Sequence, residues 1–140
     1  KELILSRKME MSDCESIALP SVIYGDEAPL PETGNIRNLK GIGTSPGTFR
    51  GKTKIVRGTW DFSSVRQGDV IIIPFSDVSW SPVLLKAGAI VSESGGMLSH
   101  CSILAREIGI PSMVSVDNAC MLPENIEVSV NGSNGILTIH

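Results

Sequence analysis

Short apolar runs separated by glycine and proline set the rhythm of this chain. Val70-Ile71-Ile72-Ile73 is a continuous apolar run held between Gly68-Asp69 and Pro74, which suits a strand buried on both faces. Ala87 to Val91 and Met113 to Val116 have the same character and predict two more buried strands. Lys52 to Val56 is β-like as well. Further on, Ile126, Val128 and Val130 alternate with Glu127 and Ser129, the pattern of a strand with one wet face. Asn131-Gly132 or Asn134-Gly135 then turns the chain into Ile136–Ile139, predicting a closing hairpin.

The period changes between the runs at 87–91 and 113–116. There Cys101, Leu104, Ala105 and Ile108 recur at helical spacing and predict a buried stripe. Gly109 suits the C-cap of that helix, and Pro111 cannot continue it. The stretch from Glu93 to Pro111 therefore reads as glycine turn and helix between two strands, with His100 in the first helical turn. A shorter helix is predicted from Ser81 as N-cap and Pro82 at the first position to Gly88 at the end. Asn118 to Leu122 reads as a short turn or helix. Helices between strand-rich ends predict a mixed α/β domain. Upstream, Lys1 to Met11 is compatible with helix, and Pro20, Gly25, Pro29, Pro31 and Gly34 are scattered through the polar stretch beyond it. This predicts a linker or N-terminal arm over residues 1–38 and a domain over residues 39–140.

Composition bounds the function. At 140 residues, 41% hydrophobic and 19% charged, the chain has the material for one domain with a proper core. A net charge of −3 with no basic block lacks the electrostatic footprint of a nucleic-acid binder. No apolar run approaches the roughly 18 residues of a membrane span, and Lys1-Glu2-Leu3-Ile4-Leu5 is too short and too quickly charged for a signal peptide. A cytoplasmic location is expected, without nucleic-acid or membrane partners. Cys14, Cys101 and Cys120 are far apart without a C-x-x-C pair, so neither a disulfide framework nor a zinc site is expected. The initial Lys1 suggests a piece of a longer polypeptide.

Two phosphate-loop patterns are nearly present. Gly41-Ile42-Gly43-Thr44-Ser45-Pro46-Gly47 has one residue too many for G-x-G-x-x-G, and no helical pattern follows it. Gly47-Thr48-Phe49-Arg50-Gly51-Lys52-Thr53 is one residue short of a Walker A loop and runs into a β-like segment. These glycines read as turns in a loop. His100 is better placed for chemistry. The start of a helix leaves backbone N–H groups without intrahelical partners and favours anions. Gly95 and Gly96 permit close backbone approach, and Ser99 can cap the helix or bond to an oxyanion. With His140 as the sole other histidine, a multi-histidine metal site is hard to assemble. Cys101 has the character of a core residue.

Gly95-Gly96-Met97-Leu98-Ser99-His100, with Ala105-Arg106-Glu107 and Gly109-Ile110-Pro111, resembles the phosphohistidine signature of the mobile, or swivelling, domain of phosphoenolpyruvate-utilising enzymes. That family includes phosphoenolpyruvate synthase (pyruvate, water dikinase), pyruvate phosphate dikinase, rifampicin phosphotransferase and the first enzyme of the sugar phosphotransferase system. The first and third are the nearest in kind. The resemblance implies a compact swivelling domain of β/β/α type, in which His100 is phosphorylated and carries the group between two active sites. It implies a phosphotransferase assembled from several domains. An ATP-grasp nucleotide-binding domain would load the histidine from ATP, and an acceptor-substrate domain would unload it onto pyruvate or, alternatively, onto rifampicin or another small molecule. ATP and magnesium are then expected on those partner domains and no cofactor on this one.

Gly95, Gly96, Ser99 and Ser102 are the expected phosphate contacts. Arg106, six residues beyond His100, falls about 120° from it around a regular helix, so a structural or docking ion pair is expected of it. Asp77-Val78-Ser79-Trp80-Ser81-Pro82 is similar to the family's D-P-x-W-x-P stretch, which makes Asp77 and Trp80 expected docking or structural residues. Leu98 stands where the family commonly has Thr, the one feature pointing instead to a non-catalytic interaction or regulatory domain.

Overall fold

A computed structural model describes residues 38–140. The expected N-terminal arm, Asn38 excepted, lies outside the described residues. The strands are β1 (Asn38–Lys40), β2 (Ile42–Ser45), β3 (Thr48–Ile55), β4 (Val70–Ile73), β5 (Ala89–Ser92), β6 (Ser112–Val114), β7 (Glu127–Asn131) and β8 (Ile136–Ile139). Two α-helices, α1 (Ser81–Leu84) and α2 (His100–Ile108), and short 3₁₀ turns at Thr59–Ser64, Val78–Trp80 and Ala119–Met121 complete the described part.

All strands join one sheet in the order β1-β8-β7-β3-β4-β5-β6-β2. Strand β3 belongs to two halves. Residues Thr48–Lys52 pair antiparallel with β7, and Thr53–Ile55 pair parallel with β4. Beyond β3 on one side, β7, β8 and β1 are antiparallel; on the other, β4, β5 and β6 are parallel, and β2 closes that side antiparallel to β6. β1 and β2 stand at opposite ends of the order, yet Gly41 alone separates them in the chain. The two ends of the sheet therefore meet, and the sheet folds back on itself.

Side-chain alternation along the parallel strands divides the core in two. Val70 and Ile72 of β4, Ala89 and Val91 of β5 and Met113 of β6 face the antiparallel half, where they pack with Leu39, Val128, Val130 and Leu137. Ile71, Ile73, Ile90 and Val114 point the other way, onto Trp80, Val83 and Leu84 at α1 and Cys101 and Ala105 of α2. Sheet, sheet and helices thus form three layers, the β/β/α arrangement. A strand covered on both faces has to be apolar throughout, which explains the unbroken run at 70–73, fully buried in the structure.

Some local expectations change. The glycine-rich segment 41–51 is strand rather than loop: β2 and β3 run through it and turn at Gly47, so both near-matches to phosphate loops lie in a sheet. The first helix has its N-cap at Trp80, not Ser81, and ends at Leu84. Gly88 does not cap it; Gly88 sits under the Phe49 ring, where a Cβ would come within 2.2 Å of Phe49 Cζ. In α2 the buried positions are Cys101, Ser102 and Ala105, whereas Leu104 is half-buried and Ile108 is exposed. The helix leans further toward its Ser102 side than the apolar spacing suggests.

Closure depends on a close backbone approach. The β7–β8 turn, in which Gly135 N–H donates to the Asn131 carbonyl at 2.9 Å, packs against the β1–β2 junction. A Cβ on Gly132 would stand 1.9 Å from the Ser45 carbonyl oxygen, which is backbone and cannot swing aside. Gly132→Ala is expected to destabilise the domain by about 1–3 kcal/mol, the usual cost of forcing extra volume into a packed site. A urea melt reads this as a lowered midpoint, and an unchanged midpoint would show that the junction can yield.

Candidate functional site

The parallel strands β4 and β5 place the loops 74–80 and 93–99 side by side at their C-terminal ends, where open α/β sheets bind ligands. The loops are tied together. The Ser94 hydroxyl donates to the Pro74 carbonyl at 2.7 Å, and Ser94 N–H reaches the same oxygen at 3.2 Å. His100 opens α2 at this junction and is half-buried.

Trp80 supports the first loop from below. It is buried, with Phe62 edge-on at 5.6 Å between ring centroids and Phe75 tilted at 5.7 Å. Asp77 caps the 3₁₀ turn, its carboxylate accepting from both the N–H and the hydroxyl of Ser79. Ser81 follows. Its hydroxyl donates to the Val78 carbonyl at 2.8 Å and lies 2.8 Å from His100 Nε2. The sequence pattern marks Ser81 only as a cap and does not bring it to the histidine, because their contact bridges 19 positions.

The second loop is built around the Gly96 carbonyl. The Ser99 and Ser102 hydroxyls lie 2.8 and 2.9 Å from that oxygen and 2.9 Å from each other. Gly95 takes φ = 113°, a conformation that favours glycine, and its carbonyl accepts from the Ser115 hydroxyl at 2.9 Å. Ser99 occupies the N-cap position with extended backbone, yet its side chain makes no capping bond. The free helix N–H of Cys101 instead meets the Ser76 hydroxyl at 3.2 Å. Ser76 therefore stands in for the cap from the other loop, another partner out of reach of local pattern reading.

The structure brings Gly95, Gly96, Ser99, Ser102 and His100 together at the start of α2. Ser102 is fully buried, so its hydroxyl serves the loop's shape. Among the described residues Arg106 has no carboxylate partner. Its guanidinium donates to the Thr44 carbonyl of β2 at 3.0 Å and to the Met97 carbonyl at 2.7 Å, pinning the loop to the sheet. Trp80 is buried and packs as a structural residue. Arg106→Ala is expected to cost about 1–3 kcal/mol, from two carbonyls losing a charged donor. Amide exchange would quicken at Met97–Ser99 while the strands keep their protection; unchanged exchange in the loop would remove Arg106 from this role.

Apolar side chains on the two loops face solvent. Phe75, Val78, Met97 and Leu98 are 54, 74, 51 and 84% exposed. A cluster of this kind beside a half-buried histidine is the usual mark of a contact surface. Elsewhere Cys101 is fully buried, as a core residue. Burial pushes the Cys120 thiol up to about 12, with the nearby Glu93 carboxylate adding to the shift, which leaves it a thiol with little nucleophilic character. Among the described residues no group of three or more His, Cys, Asp or Glu side chains assembles as a metal site.

Known proteins agree with this architecture. The family model of the PEP-utilising enzyme mobile domain matches residues 65–135. The chain is 28% identical to the rifampicin phosphotransferase of Bacillus subtilis, over 99% of this chain and 16% of that protein. It is 34% identical to the phosphoenolpyruvate synthase of Aeropyrum pernix, over 97% of this chain and again 16% of the relative. The chain thus spans about a sixth of the length of these curated relatives. Among solved structures, the aconitase X of Thermococcus kodakaraensis superposes with a TM-score of 0.56 at 17% identity, over 74% of this chain and 98% of that one, a likeness of fold alone. From the glycine loop through α2 to the last hairpin, this chain belongs to the mobile-domain family of phosphoenolpyruvate-utilising enzymes.

Proposed function

We propose that this chain is the phosphocarrier domain of a multidomain dikinase, in which His100 accepts the β-phosphoryl group of ATP from an ATP-grasp domain and passes it to pyruvate. The observation that carries this reading is the placement of His100 at the start of α2, half-buried, between two loops that present exposed apolar side chains. A neutral imidazole is a good nucleophile near pH 7, and its phosphoramidate is a reactive donor, so one difficult transfer becomes two easier ones. The helix start supplies partial positive charge to the phosphoryl oxygens. Gly95 and Gly96 allow the donor to approach the backbone, and Ser99 shapes the loop on which it lands. Magnesium, which offsets charge on the transferring group, belongs to the partner domains in this reading, as does ATP. The exposed Leu98, Met97, Phe75 and Val78 supply the docking contact.

A second reading has specific support. The rifampicin phosphotransferase of Bacillus subtilis aligns over 99% of the chain, as fully as the synthase does, so a rifampicin-type or other small-molecule acceptor fits the same carrier. The test is intact mass after incubation with ATP, magnesium and the ATP-binding portion of the parent enzyme, followed by addition of the parent's acceptor-substrate portion with pyruvate or rifampicin. Gain of one acid-labile phosphoryl group, then its loss to one acceptor, would establish the role and choose between the readings. No gain with a demonstrably active ATP-binding partner would leave an interaction domain, the role to which Leu98 in the usual Thr position points.

A further inference from the structure

We infer that the flank of β3 carries an anion-binding cleft, apart from His100, for a small phosphate-bearing molecule. Thr53 and Ile55 of β3 are buried toward the antiparallel half, so Lys52 and Lys54 share the opposite face of the strand. Across from them the connection between β3 and β4 brings Ser63 and Arg66, and a cleft of about 390 Å³ lies between. Its three cationic side chains meet one carboxylate, that of Asp69, which already accepts from Arg66 N–H at 2.8 Å. Nearby, Glu124 answers Lys54 at 3.1 Å and Glu127 answers Arg50 at 2.8 Å. Among the described residues Lys52 and Arg66 form no ion pair. A positive surplus thus gathers here in a chain whose net charge is −3. Like charges lining a cleft repel one another and focus their field into it, and a bound anion relieves that repulsion.

The backbone around the cleft is fixed. Gly68 N–H donates to the Lys86 carbonyl at 2.8 Å and Gly88 N–H to the Asp69 carbonyl at 2.9 Å, which anchors the turn at 66–69. A Cβ on Gly51 would stand 3.1 Å from the Gly68 carbonyl oxygen, so β3 and that turn pass close together. Asn125, also in the lining, is tied to β3 by its N–H, which reaches the Thr53 carbonyl at 2.9 Å. The donors suit phosphate: a guanidinium offers two parallel N–H groups, an ammonium a point charge, and the Ser63 hydroxyl and Asn125 amide add neutral donors. The volume falls at the small end of ligand pockets, roughly 300–1,000 Å³. Among the described residues no aromatic ring lines it, so a nucleobase has no platform on which to stack. Arg66 and Asp69 precede β4, whereas His100 lies beyond its C-terminal end, so an anion can occupy the cleft without covering the histidine.

The test is an amide proton–nitrogen titration of the ¹⁵N-labelled full chain with sodium pyrophosphate, run beside sodium chloride at equal ionic strength. Pyrophosphate should give saturable shifts at residues 52–54, 63–69 and 125 that chloride does not reproduce, while residues 95–102 stay in place. Lys52→Gln and Arg66→Gln, both at exposed positions, should keep the fold and each weaken binding about tenfold, the low end for losing a charged donor. Equal shifts with chloride, saturable shifts centred on the start of α2, or an affinity indifferent to both substitutions would overturn the inference. A glutamate pentapeptide that binds the cleft as tightly as pyrophosphate would also overturn it, marking the cleft as a dock for an acidic segment instead.

Discussion

His100→Ala is expected to fold like the parent domain and to take up no phosphoryl group at position 100. The substitution falls on the first residue of α2, where the side chain makes, among the described residues, a single hydrogen bond, to Ser81. Its loss costs about 1 kcal/mol, and alanine, the best helix former, offsets part of that. No buried donor is stranded, because the Ser81 hydroxyl keeps the Val78 carbonyl. The thermal midpoint should therefore move by less than the roughly 4–8 °C that 1 kcal/mol produces in a domain of this size. Phosphoryl uptake, in contrast, should vanish, since no other group at the helix start is a comparable nucleophile. His140, bonded to Ser129 at the end of β8, is an internal control for non-specific histidine labelling. Intact mass and a melt on the same sample check both halves. Full acid-labile uptake by the variant would remove His100 from the chemistry.

The second large effect concerns Trp80. Trp80→Ala removes a ring that is buried against Phe62 and Phe75, and the expected loss is about 3–5 kcal/mol, the range for truncating a buried aromatic to alanine. For a domain of this size that lowers the thermal midpoint by well over 10 °C, at roughly 4–8 °C per kcal/mol. The loss should reach the site as well. Ser81 follows Trp80 directly, so the turn that presents its hydroxyl to His100 loses its support. Asp77→Ala is the contrasting substitution, since Asp77 is exposed and, among the described residues, its carboxylate bonds only within its own turn. It should cost about 0.5–2 kcal/mol, the value of a cap. The two tryptophans make the measurement convenient, because Trp60 is 76% exposed and Trp80 is 4% exposed. The blue-shifted part of the emission belongs to Trp80 and should be absent from Trp80→Ala. A variant with unchanged stability would show that the turn stands without its ring.

Features that depend on neighbours in the chain are legible in the amino-acid sequence. The buried strand at 70–73, the helix beginning at His100 and its end at Gly109, which takes φ = 75° as a C-cap, follow from periodicity and punctuation. The β/β/α layering follows from the resemblance carried by the segment 95–111, and the two cores on opposite faces of β4 and β5 bear it out. What the pattern hides is contact between distant serines and the site. Ser76, Ser81 and Ser115 look alike in a sequence, and only folding shows that they meet Cys101, His100 and Gly95 respectively. Apolar spacing also misplaces part of the α2 face: Ser102, polar but bonded to the Gly96 carbonyl, takes a buried place that Ile108 does not. Glycines mislead for a similar reason. Gly47 does turn the chain, whereas Gly43 makes room for the Gly132 backbone from within β2, a need indistinguishable in sequence from that of a turn.

The meeting of β1 and β2 at Gly41 bears on how this domain can be recognised. Within the described sheet the strands with a single partner are β1 and β2, three and four residues long, and each interior strand has a neighbour on both sides for at least part of its length. Backbone pairing is the least discriminating adhesive a protein can offer, because any extended segment can use it. Among the described residues the fold offers it only in short stretches, at β1, β2 and the first part of β3. A partner of this part of the chain has mostly side chains to read, and an association of that kind can be tuned residue by residue and ended without unzipping a strand.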